Sequence, residues 1–219
     1  MKSGLKIESI SGVIANVYSM IARKNPFLKD LYEKIAEDIT SRISSGRILD
    51  VGTGPGYLVF EIAKKSQSLD IVGIDISKDM IEIAKRNAEN VRGSHSVRFQ
   101  FGDVSKLPFE DEYFDFIVST LSLHHWPKPV ESINEIYRVL KRNCEVWIYD
   151  IRRDASEEVI TQIRKRYGWI FSFLFSNIVR FHYFFTLEEA KNILYSSEIK
   201  FSSKYIDEEG IVFKLRLLK

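Results

Sequence analysis

The run ILDVGTGPGY, Ile48 to Tyr57, constrains this chain more than any other stretch. An apolar, β-branched strand ends at Val51. Gly52, Gly54 and Gly56 then occupy alternate positions, and Tyr57, Leu58, Val59 and Phe60 open a helix. Glycines at such positions permit a tight turn and let a ligand approach the backbone closely. In an open α/β sheet, a strand–turn–helix of this kind lies at the carboxyl end of a strand, where ligands bind. A glycine-rich turn with no ligand is the plainer reading. A dinucleotide fingerprint, G-x-G-x-x-G, needs its third glycine at the position of Tyr57, so that match fails.

The flanking pattern supports a sheet of this type. Residues up to about Ser45 read as helical, with Asn25-Pro26 as a break. Phe27, Leu28, Leu31, Tyr32, Ile35, Ile39 and Ile43 then recur at three- and four-residue spacing. From Gly46 onward, short apolar runs predict strands at Arg47–Val51, Asp70–Ile74, Val97–Phe101, Phe114–Ser119 and Glu145–Tyr149. Helices are expected between them. One runs from Ser77, a cap residue, to Asn90, with Asp79 in its first turn. Another runs from Glu131 to Lys141. Strands alternating with helices imply a mostly parallel sheet covered on both faces. A helix near Leu187–Ser196 follows. Strand-like runs at Lys200–Ile206 and Ile211–Leu217, separated by Asp207 to Gly210, suggest an antiparallel hairpin.

Composition narrows the function classes. The 219 residues suit one domain, and 45% hydrophobic content can build a core. A net charge of +2, with basic residues scattered among acidic ones, argues against nucleic acid as a partner. Cys144 is the single cysteine, so no internal disulfide forms. This suits a reducing, cytoplasmic setting. One cysteine and four histidines give no metal site. No long apolar run follows Lys2 and Lys6, so no signal peptide is expected. The aromatic stretch from Tyr167 to Phe185 has about the length of a membrane span. Asn177, Arg180 and His182 interrupt it, and a mid-bilayer arginine costs roughly 2.5–3.5 kcal/mol. A transmembrane helix is therefore not expected, while peripheral membrane contact stays open.

Two acids follow the glycine loop in a telling order. Asp75 ends the strand in IVGIDIS, at about the spacing of an acid that accepts from both hydroxyls of a ribose. Capping of the next helix is its plainer role. Asp103 sits just past the strand in FGDVSKLPFEDEYFDFIVST. With LHHW and NEIYRVLK completing the series, residues Gly46 to Asp150 resemble the class I methyltransferases that use S-adenosylmethionine (SAM), in particular the small-molecule group of ubiquinone/menaquinone C-methyltransferases.

The resemblance implies a Rossmann-like, doubly wound α/β fold, with a mostly parallel seven-stranded sheet and a C-terminal antiparallel hairpin. It implies a single domain over 1–219: a helical cap at 1–45, the SAM-binding core at 46–150, a helical aromatic insertion over the pocket at 151–186, and a C-terminal helix and hairpin at 187–219. It implies SAM as cofactor and S-adenosylhomocysteine as product. By position, Asp50 would orient the methionine end, and Gly52, Thr53, Gly54 and Gly56 would form the floor. Asp75 would hold the ribose, Ile76 and Met80 would flank the adenine, and Gly102, Asp103 and Val104 would meet its edge. Ser119 and Leu121 would line the methionine side, and Tyr18 would close over the cofactor. One departure stands out: RVLKRNC replaces the family's RVLKPGG. Asn143 can supply the left-handed turn that a glycine would give.

The acceptor is less determined. STLSLHH after the fourth strand lacks the [DN]-P-P-[YF] of enzymes that methylate exocyclic amines of nucleic acids, and Cys144 is misplaced for cytosine C5 chemistry. A small-molecule oxygen, carbon or nitrogen acceptor remains. His124 and His125 are candidate catalytic bases, with His124 nearer the strand end. Packing against Trp126 is their structural alternative. The aromatic residues between Arg152 and Phe185 suit a lipophilic acceptor or ordinary packing, and Arg164, Lys165 and Arg166 read as a solvated face. Two other classes stand beside this one: a non-catalytic SAM-binding scaffold subunit, and a methyltransferase acting on RNA or protein. Oligomeric state is left open.

Overall fold

The computed structural model describes residues 12–89, 91, 96–168, 184–196, 199 and 201–219. Two helices lead, α1 (Gly12–Lys24) and α2 (Pro26–Arg42). Pro26 sits where a helix needs no N–H, and the Asn25 side chain accepts from the Leu28 amide at 3.1 Å. The alternating part follows: β1 (Gly46–Val51), α3 (Tyr57–Lys65), β2 (Leu69–Asp75), α4 (Lys78–Ala88), β3 (Val97–Phe101) and β4 (Phe114–Thr120). A short 3₁₀ turn, Leu123–His125, precedes α5 (Pro129–Val139) and β5 (Leu140–Ile151). Next come α6 (Glu157–Tyr167), α7 (Leu187–Ser196), β6 (Ser203–Glu209) and β7 (Val212–Leu218).

The seven strands form one sheet in the order β3-β2-β1-β4-β5-β7-β6. The pairs from β3 through β5 are parallel, whereas β5–β7 and β7–β6 are antiparallel. This is the Rossmann-like doubly wound architecture expected above. The sequence order reverses at β1 and β4, so the carboxyl ends of these neighbours splay into a crevice.

Strand residues alternate between two cores because successive side chains point to opposite faces. Ile48, Ile71, Phe116, Val118, Trp147 and Tyr149 face α2, α3 and α6, where Ile39, Val59, Ile62 and Ile163 cover them. Leu49, Val51, Ile74, Ile117, Ile148 and Leu215 face α5 and α7, under Ile133, Ile136, Ala190 and Leu194. Both cores are needed, since a parallel strand has no solvated face.

Several boundaries differ from the sequence reading, among them the following. The strand expected to begin at Glu145 begins at Leu140, and α5 ends at Val139 rather than Lys141. Leu140 pairs with Phe114 and Glu145 with Phe116, so residues between them bulge out of the ladder. Asn143 has the left-handed backbone foreseen for it, φ 59. The hairpin turn lies at Gly210–Ile211, not across Asp207 to Gly210. Glu209 pairs with Val212, and Gly210 at φ +68 lets a two-residue turn close. The sequence misleads there because charged residues on a half-exposed strand look like a loop. Residues 1–11 of the expected cap, Asn90, residues 169–183 of the aromatic insertion and Lys200 lie outside the described residues. Among the described residues, no helix is long and apolar enough to cross a membrane.

Gly73, inside β2, shows how tightly the sheet supports the loop above it. A Cβ there would meet Phe99 Cδ1 and Thr53 Oγ1, each at 2.7 Å. Gly73→Ala should therefore lower unfolding free energy by about 1–3 kcal/mol through overpacking, although alanine restricts the unfolded chain more. Urea unfolding of the two proteins checks this, and equal midpoints would contradict it.

Candidate functional site

A cleft open to solvent lies at the carboxyl ends of β1, β2 and β4. Its floor is the glycine loop. The Gly52 and Thr53 amides both donate to the Ile74 carbonyl at 2.9 Å, so β2 anchors the turn that leaves β1. The three glycines serve different needs. Gly52, at φ +72, has Ser122 pressed where its side chain would be; a Cβ would lie 2.4 Å from Ser122 Oγ. Gly54, at φ +51, has open space on that side. Gly56, at φ +85, caps α3 against Phe99 and Phe60, below the cleft.

Asp75 joins the two loops. Its Oδ2 accepts from the Gly54 amide at 2.9 Å and its Oδ1 from the Ser77 amide at 2.8 Å. Burial raises its pKa, and the amides of Ser77 and Gly54 pull it back. Each oxygen keeps a second lone pair beyond these bonds, and Asp75 lines the cleft. Ser77 caps α4 by accepting from the Met80 amide at 3.3 Å. Asp103 folds its own turn: Oδ1 accepts from the Ser105 amide and hydroxyl, both at 2.8 Å.

Asp50 is different. It is 2% exposed, on β1 beneath the loop, and among the described residues no cationic side chain pairs with it. Burial raises its pKa to about 7, the Thr53 hydroxyl opposes that rise, and the Asp75 charge adds to it. A buried carboxyl in this state favours its neutral form.

The other wall comes from the end of β4. Leu121 adopts a left-handed backbone, φ 55, while its amide donates to the Tyr149 carbonyl at 2.8 Å. For a non-glycine residue this is strain of order 1–3 kcal/mol, of the kind found at functional sites. Ser122 then becomes a hub. Its hydroxyl donates to the Val51 carbonyl at 3.2 Å, accepts from Trp126 Nε1 at 3.1 Å, and meets Ser119 Oγ at 2.8 Å. That fills one donor and two acceptor positions.

Of the residues expected at a cofactor, Tyr18, Gly52, Gly54, Asp75, Ile76, Met80, Gly102, Asp103, Val104 and Leu121 line the cleft. Asp50, Thr53 and Gly56 lie beneath it and shape the loop. Ser119 is fully buried behind Ser122, so it supports the wall instead of lining it. Tyr18 arrives from α1. Its phenol is raised first by burial, then by the charges of Asp75, Tyr57 and Asp150.

The two candidate histidines sit in different surroundings. His125 lines the cleft, whereas His124 is nearly enclosed. Asp150, at the carboxyl end of β5, accepts from the His124 backbone amide at 2.9 Å and faces Nδ1 with both oxygens at 2.9 Å. The His124 ring packs on His125 at 4.0 Å and on Phe184 at 4.4 Å. Sequence reasoning missed Ser122, Trp126, Pro127 and Asp150. Asp150 was within reach, because it ends a parallel strand as Asp75 does. Among the described residues no group of His, Cys, Asp and Glu could hold a metal ion.

Comparison with known proteins follows the geometry. Residues 43–195 match a family model described as a methyltransferase domain. The chain is 30% identical over 151 residues to the ubiquinone/menaquinone biosynthesis C-methyltransferase UbiE of Geotalea daltonii, covering 68% of this chain and 64% of that protein. It is 34% identical over 128 residues to the demethylmenaquinone methyltransferase of Thermus thermophilus, covering 58% and 57%. The chain thus spans less than two thirds of either relative. A solved structure from Methanococcus maripaludis, described as an S-adenosyl-L-methionine-dependent methyltransferase, superposes with a TM-score of 0.73 at 30% identity, over 96% of this chain and 97% of that one.

Asp50 gives a test that needs no ligand. Its folded pKa lies above the unfolded value, so the native state holds the extra proton. Unliganded stability should then fall as pH rises from about 4 to about 7, by a few kcal/mol at most. Asp50→Asn should be the more stable protein at pH 8 and lose most of that slope. Melts across this pH range decide it, and parallel slopes for the two proteins would reject the assignment.

Proposed function

The chain belongs to the methyltransferase-domain family of SAM-dependent enzymes, and from that premise we propose that it methylates a small, lipophilic or aromatic acceptor at this cleft. The observation that carries the reading is the pairing of two carboxyls with different environments. Asp75 is half-buried with lone pairs facing the cleft, and Asp50 is enclosed without a countercharge.

These features fit the cofactor part by part. Asp75 would take the ribose hydroxyls, and Asp103 Oδ2 the adenine amino group. Ile76, Met80 and Val104 would hold the adenine ring. Gly54, with open space above it, would admit the cofactor against backbone. Asp50 would meet the cationic amino end, and its proton would leave as that charge arrives. When bound, SAM supplies an electrophilic methyl on a sulfonium, and transfer is a single in-line displacement that depends on positioning.

The chain's own contribution lies on the acceptor side. Leu121, Trp126 and Pro127 make that wall apolar and exclude water. Asp150 keeps the His124 proton on Nδ1, and the fixed His124 ring sets the orientation of His125. His125, on the wall, is the group placed to take a proton from an acidic acceptor such as a phenol or quinol. The quinone-pathway relatives support an acceptor of this class.

Calorimetric titration with SAM and with S-adenosylhomocysteine tests the cofactor half. Both should bind, and Asp75→Ala should weaken binding on the order of a hundredfold, the loss of charge-assisted hydrogen bonds. Affinity should rise with pH toward 7 and level off above it, following Asp50. Folded protein that binds neither compound would overturn the reading. For the acceptor half, labelled methyl uptake into phenols and quinols is the measurement. His125→Ala should lower kcat by about 10²–10⁴ with cofactor affinity unchanged. Unchanged turnover would remove His125 from the chemistry.

A further inference from the structure

Helix α1 is built inside out. Its buried face consists of the small residues Ala15, Ser19 and Ala22, and its large aliphatic residues point away from the protein. Val13, Ile14, Val17, Met20 and Ile21 are between 44% and 79% exposed. Fixed contacts hold the helix in this rotation. The Gly12 amide donates to Asp79 Oδ2 at 2.7 Å, Arg86 donates to Asn16 Oδ1 at 3.3 Å, and Tyr57 Oη donates to the Ser19 carbonyl at 2.9 Å. Turning the aliphatic residues inward would break all three.

The outward face has an order of its own. Val13, Val17, Met20 and Lys24 follow at i, i+4, i+7 and i+11, one line along the helix, with Ile14 and Ile21 beside it. The helix carries no acidic residue and ends in Arg23 and Lys24. A second groove adjoins this end, lined by Arg23, Lys29, Lys64 and Glu61; Lys64 pairs with Glu61 at 2.6 Å and Lys29 lies 3.8 Å from Glu33, both on the surface. An apolar stripe that ends in concentrated positive charge complements one kind of surface. We propose that α1 docks this protein on an anionic lipid surface, with the stripe in the acyl boundary and Arg23, Lys24 and Lys29 among the headgroups. A second copy of the chain fits less well. One 13-residue helix presents far less than the roughly 20–30 residues a side of a stable protein interface. Tyr18 reaches the cleft from this same helix, so docking would set the cleft mouth against the bilayer.

Sedimentation of the full chain with vesicles tests the proposal. One set is pure phosphatidylcholine, and the other is an equimolar mixture with phosphatidylglycerol. The wild type should pellet with the mixed vesicles and far less with the neutral ones, and added salt should weaken the binding. The double variant Val17→Glu, Met20→Glu should bind on the order of tenfold more weakly or less, having lost two aliphatic insertions and gained two negative charges. Both positions are exposed, so its melting point and its binding of S-adenosylhomocysteine should match the wild type. Lys24→Glu should reduce binding to mixed vesicles alone. A folded wild type that pellets with neither set overturns the proposal, as does a double variant that binds as well. A wild-type dimer that the double variant dissolves would assign the face to a second copy, and the proposal would fall.

Discussion

One carboxylate holds the cofactor half of this cleft in shape. The two oxygens of Asp75 take the amides of Gly54 and Ser77, one from each loop at the carboxyl ends of β1 and β2. Between those loops, the Ile74 carbonyl receives two amides from the glycine turn. The glycine loop is not fixed by its own sequence, because glycines at positive φ give up much conformational entropy when ordered. The order comes from the neighbouring strand, and the parallel register of β1 and β2 brings the two loops together. Asp75 also lines the cleft, so the brace forms part of its wall.

The half of the cleft beside β4 rests on different physics. There the backbone departs from its preferred region at Leu121, and side chains hold it in place. Ser122 occupies the space that Gly52 leaves and ties β1, Ser119 and Trp126 together. Asp150 fixes the 3₁₀ turn through the amide and ring of His124. Gly52 is thus required by the neighbouring wall as much as by any ligand. The two halves meet at β1 and β4, where the order of strands reverses.

Much of this was legible in the residues. The glycine turn, the strand-end acids, the Ser77 cap and the left-handed Asn143 all depend on local chemistry, and each stands where its motif implied. The errors share a cause as well. Glu208 and Glu209 look like a loop, yet they extend β6, because an edge strand buries one face and its charges can lie on the other. Lys141 looks helical, yet β4 draws it into a bulged ladder. Ser119 sits on a strand end like the cleft residues, but the pleat turns it toward Ser122. These outcomes depend on neighbours distant in sequence.

The sequence alone determined the alternation of strand and helix, the loop that floors the cleft, and the acids along its rim. Each follows from spacing within about twenty residues, or from backbone freedom at single positions. Only the tertiary structure decided which histidine reaches the cleft, since Asp150 captures His124 across 26 residues of chain and leaves His125 on the wall. Only the tertiary structure turned the large residues of α1 outward, because its small face and its bonds to Asp79, Arg86 and Tyr57 leave no other rotation. Hydrophobic periodicity marks a helix as having two faces. Which face is buried depends on where the partner surfaces lie, and the local pattern does not record that.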